Sequence, residues 1–148
     1  MKRLSNKEIK EVNTALRSRY GENAIVVSED GATDEEVLYI ERKPMYFQAL
    51  GTWVPTLQHL LSNNFLPCVA IDRGAVPFMI KGADVMRPGI VQTDEFSKDG
   101  IVAVVDATHR KPLCVGLALF SSSEILPMTS GKVIKNLHYV GDEVWKLV

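Results

Sequence analysis

Residues 71–90 read IDRGAVPFMIKGADVMRPGI, and the reading of this stretch decides the fold. Two Gly-Ala steps, at Gly74-Ala75 and Gly82-Ala83, and a Pro-Gly step at 88–89 punctuate short apolar runs. Arg73, Lys81 and Arg87 flank these turns. Glycine removes Cβ bulk, so another chain can approach the backbone, and neighbouring cations neutralise phosphate charge. The stretch reads as a surface turn suited to a nucleic-acid backbone. Its candidate contacts are Arg73, Gly74, Ala75, Lys81, Gly82, Ala83, Arg87 and Gly89. The glycines carry two readings that can hold together, close approach of RNA and a turn with positive φ. The cations are either phosphate contacts or ordinary solvated charge; as charged residues they are expected to be exposed.

The surrounding chain sets bounds on what this turn can belong to. With 148 residues, it suits one compact domain or two small ones. Apolar residues make up 46% and charged residues 24%, enough for a buried core and against disorder. The formal charge of −1 gives no global attraction for nucleic acid, so any binder must concentrate its cations locally. Acidic residues gather instead at Glu29, Asp30, Asp34, Glu35 and Glu36. No apolar run is long enough to span a bilayer, and the opening MKRLSNKEIKEV lacks a signal-peptide core. Cys68 and Cys114 sit in apolar runs and read as buried reduced thiols, with the cytoplasm as the expected location.

Working outward, the first helix announces itself. Ser5 and Glu8 form a capping-box pattern, Ile9, Val12, Leu16 and Tyr20 share a face, and Gly21 stops the helix. Strands are expected over 24–30, 36–43 and 45–51, with Pro44 as a break between the last two. Pro55 is expected to open a short helix through PTLQHLLSN, with Trp53 in the loop before it. From Leu66 the pattern turns to short strands at 66–72, 76–80, 89–94, 100–107 and 112–121, with a last one at 132–140. Single helical turns are expected at 83–86, where Asp84 would be a cap, and around 122–126.

The order strand, Gly-Ala turn, short helix, several strands, short helix, final strand resembles the PUA pseudo-barrel. The pieces DRGA (72–75), KGADVM (81–86), RPGI (87–90) and GKVIKNLHYVGDEVWKL (131–147) carry the likeness. RKPMYFQALGTWVPTLQHLL (42–61) resembles the pre-PUA region of the malignant T-cell-amplified family, which includes translation machinery-associated proteins and shorter stand-alone archaeal members. The fold class expected is therefore α+β, a small pre-PUA-like α+β domain (1–64) packed on a C-terminal PUA pseudo-β-barrel (65–148). The resemblance implies non-catalytic binding of structured RNA in translation. The expected partners are tRNA, through its acceptor end, or rRNA of the small ribosomal subunit, and in eukaryotes a density-regulated partner protein. It also puts Lys132 and Lys135, on the last strand, beside the signature turn. No DNA, membrane or cofactor is expected.

The remaining residues add little chemistry. His59, His109 and His138 lack partners at metal-ligand spacing. Ser121, Ser122 and Ser123 form no nucleophile elbow, and no phosphate-binding glycine motif is present. Arg110 and Lys111 form a second cation pair in a turn that reads as a solubilising tip. Tyr139 reads as core or as a base-stacking ring, and Trp53 and Trp145 as core or interface anchors. Two further readings stay open: an accessory subunit that positions RNA for a modifying enzyme, and a protein-interaction adaptor using the acidic N-terminal part with Trp53.

Overall fold

The computed structural model of the chain describes residues 1–147 apart from 23, 25, 29 and 35. Helix α1 (Asn6–Tyr20) starts where its capping box says it should: the Ser5 hydroxyl accepts the Glu8 N–H at 3.2 Å, and Glu8 accepts the Ser5 N–H at 3.0 Å. Gly21, at φ 82°, ends it and donates to the Arg17 carbonyl. Leu16 is buried, and Ile9, Val12 and Tyr20 pack with it against Val27, Leu38, Ile40 and Tyr46.

That helix lies on a five-stranded antiparallel sheet in the order β1 (Lys2–Arg3), β2 (Ala32–Asp34), β3 (Val37–Ile40), β4 (Lys43–Ala49), β5 (Thr52–Pro55). Several expectations need correcting here. The described residues of 24–30 form no strand. Asn13 of α1 donates to the Val27 carbonyl at 2.9 Å and accepts the Val27 N–H at 2.7 Å, so a helix side chain takes the bonds a neighbouring strand would have taken. Residues Ile25 and Glu29 of that stretch, and Glu35 of the acidic cluster, lie outside the described residues. Pro44 is no break; it sits inside β4 opposite Tyr39, and the chain reverses at Glu41 and Arg42, with φ of 52° and 65°. Paired positive φ values give the turn the hand that matches strand twist. Trp53 is in β5 opposite Gln48, not in a loop. Pro55 closes β5, and Thr56 is the true cap of α2 (Leu57–Ser62), accepting the His59 N–H at 3.2 Å.

The second sheet is six-stranded and mixed, curled into a pseudo-barrel, in the order β7 (Val85–Met86), β11 (Lys132–Tyr139), β10 (Pro112–Ala118), β9 (Ile101–Asp106), β6 (Cys68–Ile71), β8 (Ile90–Thr93). β6 and β9 run parallel and the other pairs antiparallel. Two short helices complete it: α3 (Val76–Met79) and α4 (Ser122–Ile125), the latter with a capping box from Ser121 and Glu124. The run 76–80 is thus helix rather than strand. Pro77 fits a first helical turn, and the Asp72 carboxylate takes the Ala75 N–H at 2.9 Å just ahead of it. The stretch 83–86 is also reversed from expectation: β7 pairs with β11, and Arg87–Gly89 form a single tight turn.

The apolar run of β9 explains how the halves join. Val102 and Val104 face the barrel core with Val69, Ile71, Cys114 and Ile134. Ile101, Ala103 and Val105 face the other way, into a layer shared with Phe47, Val54, Leu57 and Leu60. Period-two alternation with both faces covered reads in sequence as a continuous hydrophobic strand. Cys114 is fully buried and Cys68 half-buried; both are free thiols, and burial raises the pKa of each. Among the described residues no helix is long and apolar enough to cross a membrane.

Candidate nucleic-acid interface

The Gly-Ala turns close around an open cleft of about 400 Å³. Its walls are Ala75 at the cap of α3, Phe78 and Met79 from the helix, Ala83 from the connection after it, Val85 and Met86 from β7, and Pro88 and Gly89 from the tight turn; Asp72 and Asp84 complete the lining. Phe78 is 60% exposed and Met86 51%. Large apolar side chains left in water beside a concave surface are uncommon enough to ask for a ligand.

Each glycine has a different reason to be there. Gly82 has φ 87°, and an added Cβ would come within 2.9 Å of the Tyr139 ring. Gly89 has no positive φ, but an added Cβ would lie 3.0 Å from that of Ala75, across the cleft. Gly74 is exposed and a side chain there would meet only the Asp72 carboxylate, at 3.5 Å. Positive φ therefore explains Gly82 alone. Ala83 is held by its N–H to the Phe78 carbonyl at 3.0 Å.

The cations separate into three kinds. Lys81 and Lys135 are exposed, and among the described residues neither makes an ion pair. Lys132 reaches Asp84 at 3.4 Å on the cleft rim. Arg87 departs from the expectation of an exposed probe. Its guanidinium is half-buried and donates to the carbonyls of Ile125 at 2.9 Å, Leu126 at 3.1 Å and Ile90 at 3.3 Å. It ties the C-terminal end of α4, whose last carbonyls have no partner inside the helix, to β8. Asp84 is likewise no helix cap, since it accepts the Asn136 N–H at 2.8 Å and so pins β11 to the turn. Arg73 is exposed but lines a different cleft, with Val76, Pro77 and residues 106–109.

Tyr139 is half-buried and packs against the barrel core. Beside it His138 is fully buried. Its Nε2 accepts the Leu57 N–H at 3.0 Å, so the proton is on Nδ1, which donates to the Asp142 carboxylate at 2.9 Å. Burial lowers the imidazole pKa, and Asp142 acts against that shift. The pair joins β11 to the first amide of α2. Sequence reasoning missed Phe78 because 76–80 has strand composition, and Met86 because 83–86 reads as a single helical turn. Pro77 directly after a Gly-Ala turn was the signal for a helix in the first of these stretches.

Residues 67–140 match the PUA domain. An uncharacterized protein of Methanocaldococcus jannaschii is 39% identical over 96% of this chain and 93% of its own. Translation machinery-associated protein 20 of Schizosaccharomyces pombe is 36% identical over 66% of this chain. Human malignant T-cell-amplified sequence 2 is 33% identical over 76% of it. The matches span 58% and 65% of those two longer proteins. A PUA domain from Aeropyrum pernix K1, crystallised as a tartrate complex, has the same fold at TM-score 0.86 and 28% identity, over 99% of this chain and 89% of its own.

Proposed function

We propose that this chain, which belongs to the PUA-domain family and within it to the relatives of the malignant T-cell-amplified and translation machinery-associated proteins, binds structured RNA of the translation machinery without catalysing a reaction. The PUA unit is taken to begin at residue 65, with residues 1–64 as a supporting domain. The target is the acceptor end of tRNA or the small ribosomal subunit. The observation that carries the reading is the open apolar cleft at the Gly-Ala turns, with Phe78 and Met86 exposed at its edge and an exposed Lys81 directly before the second Gly-Ala step. Carbon-rich walls suit the face of an unstacked base, and the adjacent cations suit its phosphates.

Within this site Gly74, Ala75, Gly82, Ala83 and Gly89 shape the cleft. Lys81, Lys132 and Lys135 supply positive charge around it, and Arg73 supplies it on the far side of α3. Arg87 serves by holding the α4–β8 edge in place. The test is fluorescence anisotropy with labelled tRNA, intact or lacking its 3′ CCA, at two salt concentrations. Salt-sensitive binding that weakens without CCA supports acceptor-end recognition. Binding to neither form, together with binding to isolated small subunits, moves the target to the ribosome. Binding to none of them contradicts the RNA reading.

A further inference from the structure

The helix α3 is a ridge between two clefts, and only one of them contains the Gly-Ala turns. Ala75, Phe78 and Met79, at helical spacing, line the first. Val76 and Pro77, on the other side of the same turn, line a second cleft of about 330 Å³, closed by Ala107, Thr108 and His109. Arg73 belongs to this second cleft. The hairpin turn that forms its far wall carries Arg110 and Lys111, both exposed. Resting on the RNA reading above, we propose that the RNA-binding surface continues over α3 into this second cleft, which takes a second nucleotide of the same strand, with Arg73, Arg110 and Lys111 on its phosphates.

Three observations support this. The lining contributed by Val76, Pro77 and Ala107 is mostly apolar, though less so than that of the first cleft, and offers a surface for a base. Among the described residues none of the three cations makes an ion pair; Arg110 donates to the neutral Gln92 side chain at 3.3 Å and interacts with the Cys68 thiol. The carboxylate in the lining is turned inward: Asp106 takes the His109 and Lys111 N–H groups, the latter at 3.0 Å, and these amide bonds hold its pKa below the usual carboxylate range. The turn therefore fixes its own backbone with its acid and leaves its cations without a carboxylate partner among the described residues. One surface then has an apolar seat on each side of a helix only four residues long, and cations at its outer edge, which is the arrangement that single-stranded nucleic acid tracks.

The test compares the salt dependence of tRNA binding by the wild type, by Arg110→Gln/Lys111→Gln, and by Thr108→Glu, which sets a negative charge in the cleft. Thermal melts confirm that each variant is folded. The expected result is a log–log salt slope shallower by about 1.5 units for the double variant, with affinity down roughly tenfold at physiological salt. Thr108→Glu should weaken binding as well. Wild-type binding with an unchanged slope in the double variant and unchanged affinity in Thr108→Glu overturns the second cleft while leaving the first standing. A wild type that binds no RNA overturns both readings together.

Discussion

The joint at His138 and the ridge at α3 use similar residues to opposite ends. At the joint the imidazole, Asp142 and the amides of Leu57, Tyr139 and Trp145 complete one another's hydrogen bonds in the interior. At the ridge Phe78 and Met86 stand in water, and Lys81 and Arg73 have no ionic partner among the described residues. Arg87 and Arg73 make the contrast within one residue type: the first is spent on three carbonyls, and the second is exposed and makes no ion pair among the described residues. Groups whose bonds close internally hold the fold, and groups whose bonds stay open are those available to a ligand.

The largest effect expected from breaking this contrast is at the joint. His138→Ala leaves the Leu57 amide and the Asp142 carboxylate without their partner and opens a cavity, for a loss of about 3 kcal/mol in urea unfolding. The folded fraction should still bind tRNA with wild-type affinity; selective loss of binding would put His138 in the site. Arg87→Ala is next. Three carbonyls lose a charged donor, and stability should fall by about 2 kcal/mol, with tRNA binding affected only as far as the α4–β8 edge loosens.

Phe78→Ala sharpens the other side. Stability should move by less than about 0.5 kcal/mol, since the ring is exposed, while tRNA affinity falls about tenfold through lost stacking. A variant that melts early and binds normally would place Phe78 in the core instead. Acid separates the two regions again. Burial lowers the pKa of His59 and His138 below the ordinary imidazole value of about 6.5. The unfolded chain then takes up protons first as pH drops. Stability is full above about 6.5 and is lost as pH falls toward the folded-state values. Unfolding curves at stepwise lower pH should show this loss in the wild type and less of it in a His138→Gln variant. The smallest effect is at Lys81→Ala, where the salt slope should drop by about one unit with no change in melting temperature.

What the sequence made legible were the elements with local signatures. Ser5 with Glu8, and Gly21 at the end, defined α1 because caps act through neighbours in the chain. β9 was plain because its alternation is buried on both faces. The failures came from partners elsewhere in the chain and from local signals that composition outweighed. Residues 24–30 looked extended, but Asn13 decides how Val27 is bonded. VPFMI has strand composition, but the Asp72 carboxylate and Pro77 favour a helical turn, which leaves Phe78 exposed. Pro44 and Pro55 carry the composition of boundaries, yet both fit strand positions in an antiparallel sheet. In the candidate site, the glycine positions were visible from the start. The sorting of the cations was not, because whether an arginine meets solvent or a cage of carbonyls depends on α4, which lies far along the chain.

The most direct test of the central claim is a ¹⁵N-labelled NMR titration with tRNA, or with its 3′-terminal oligonucleotide if the complex is too large. Backbone amides over residues 72–89 and 106–111 are expected to shift first and most, on both sides of α3, with the joint around His138 and the first sheet nearly unmoved. Shifts concentrated on the first sheet or at the joint, with the α3 clefts silent, would contradict the account.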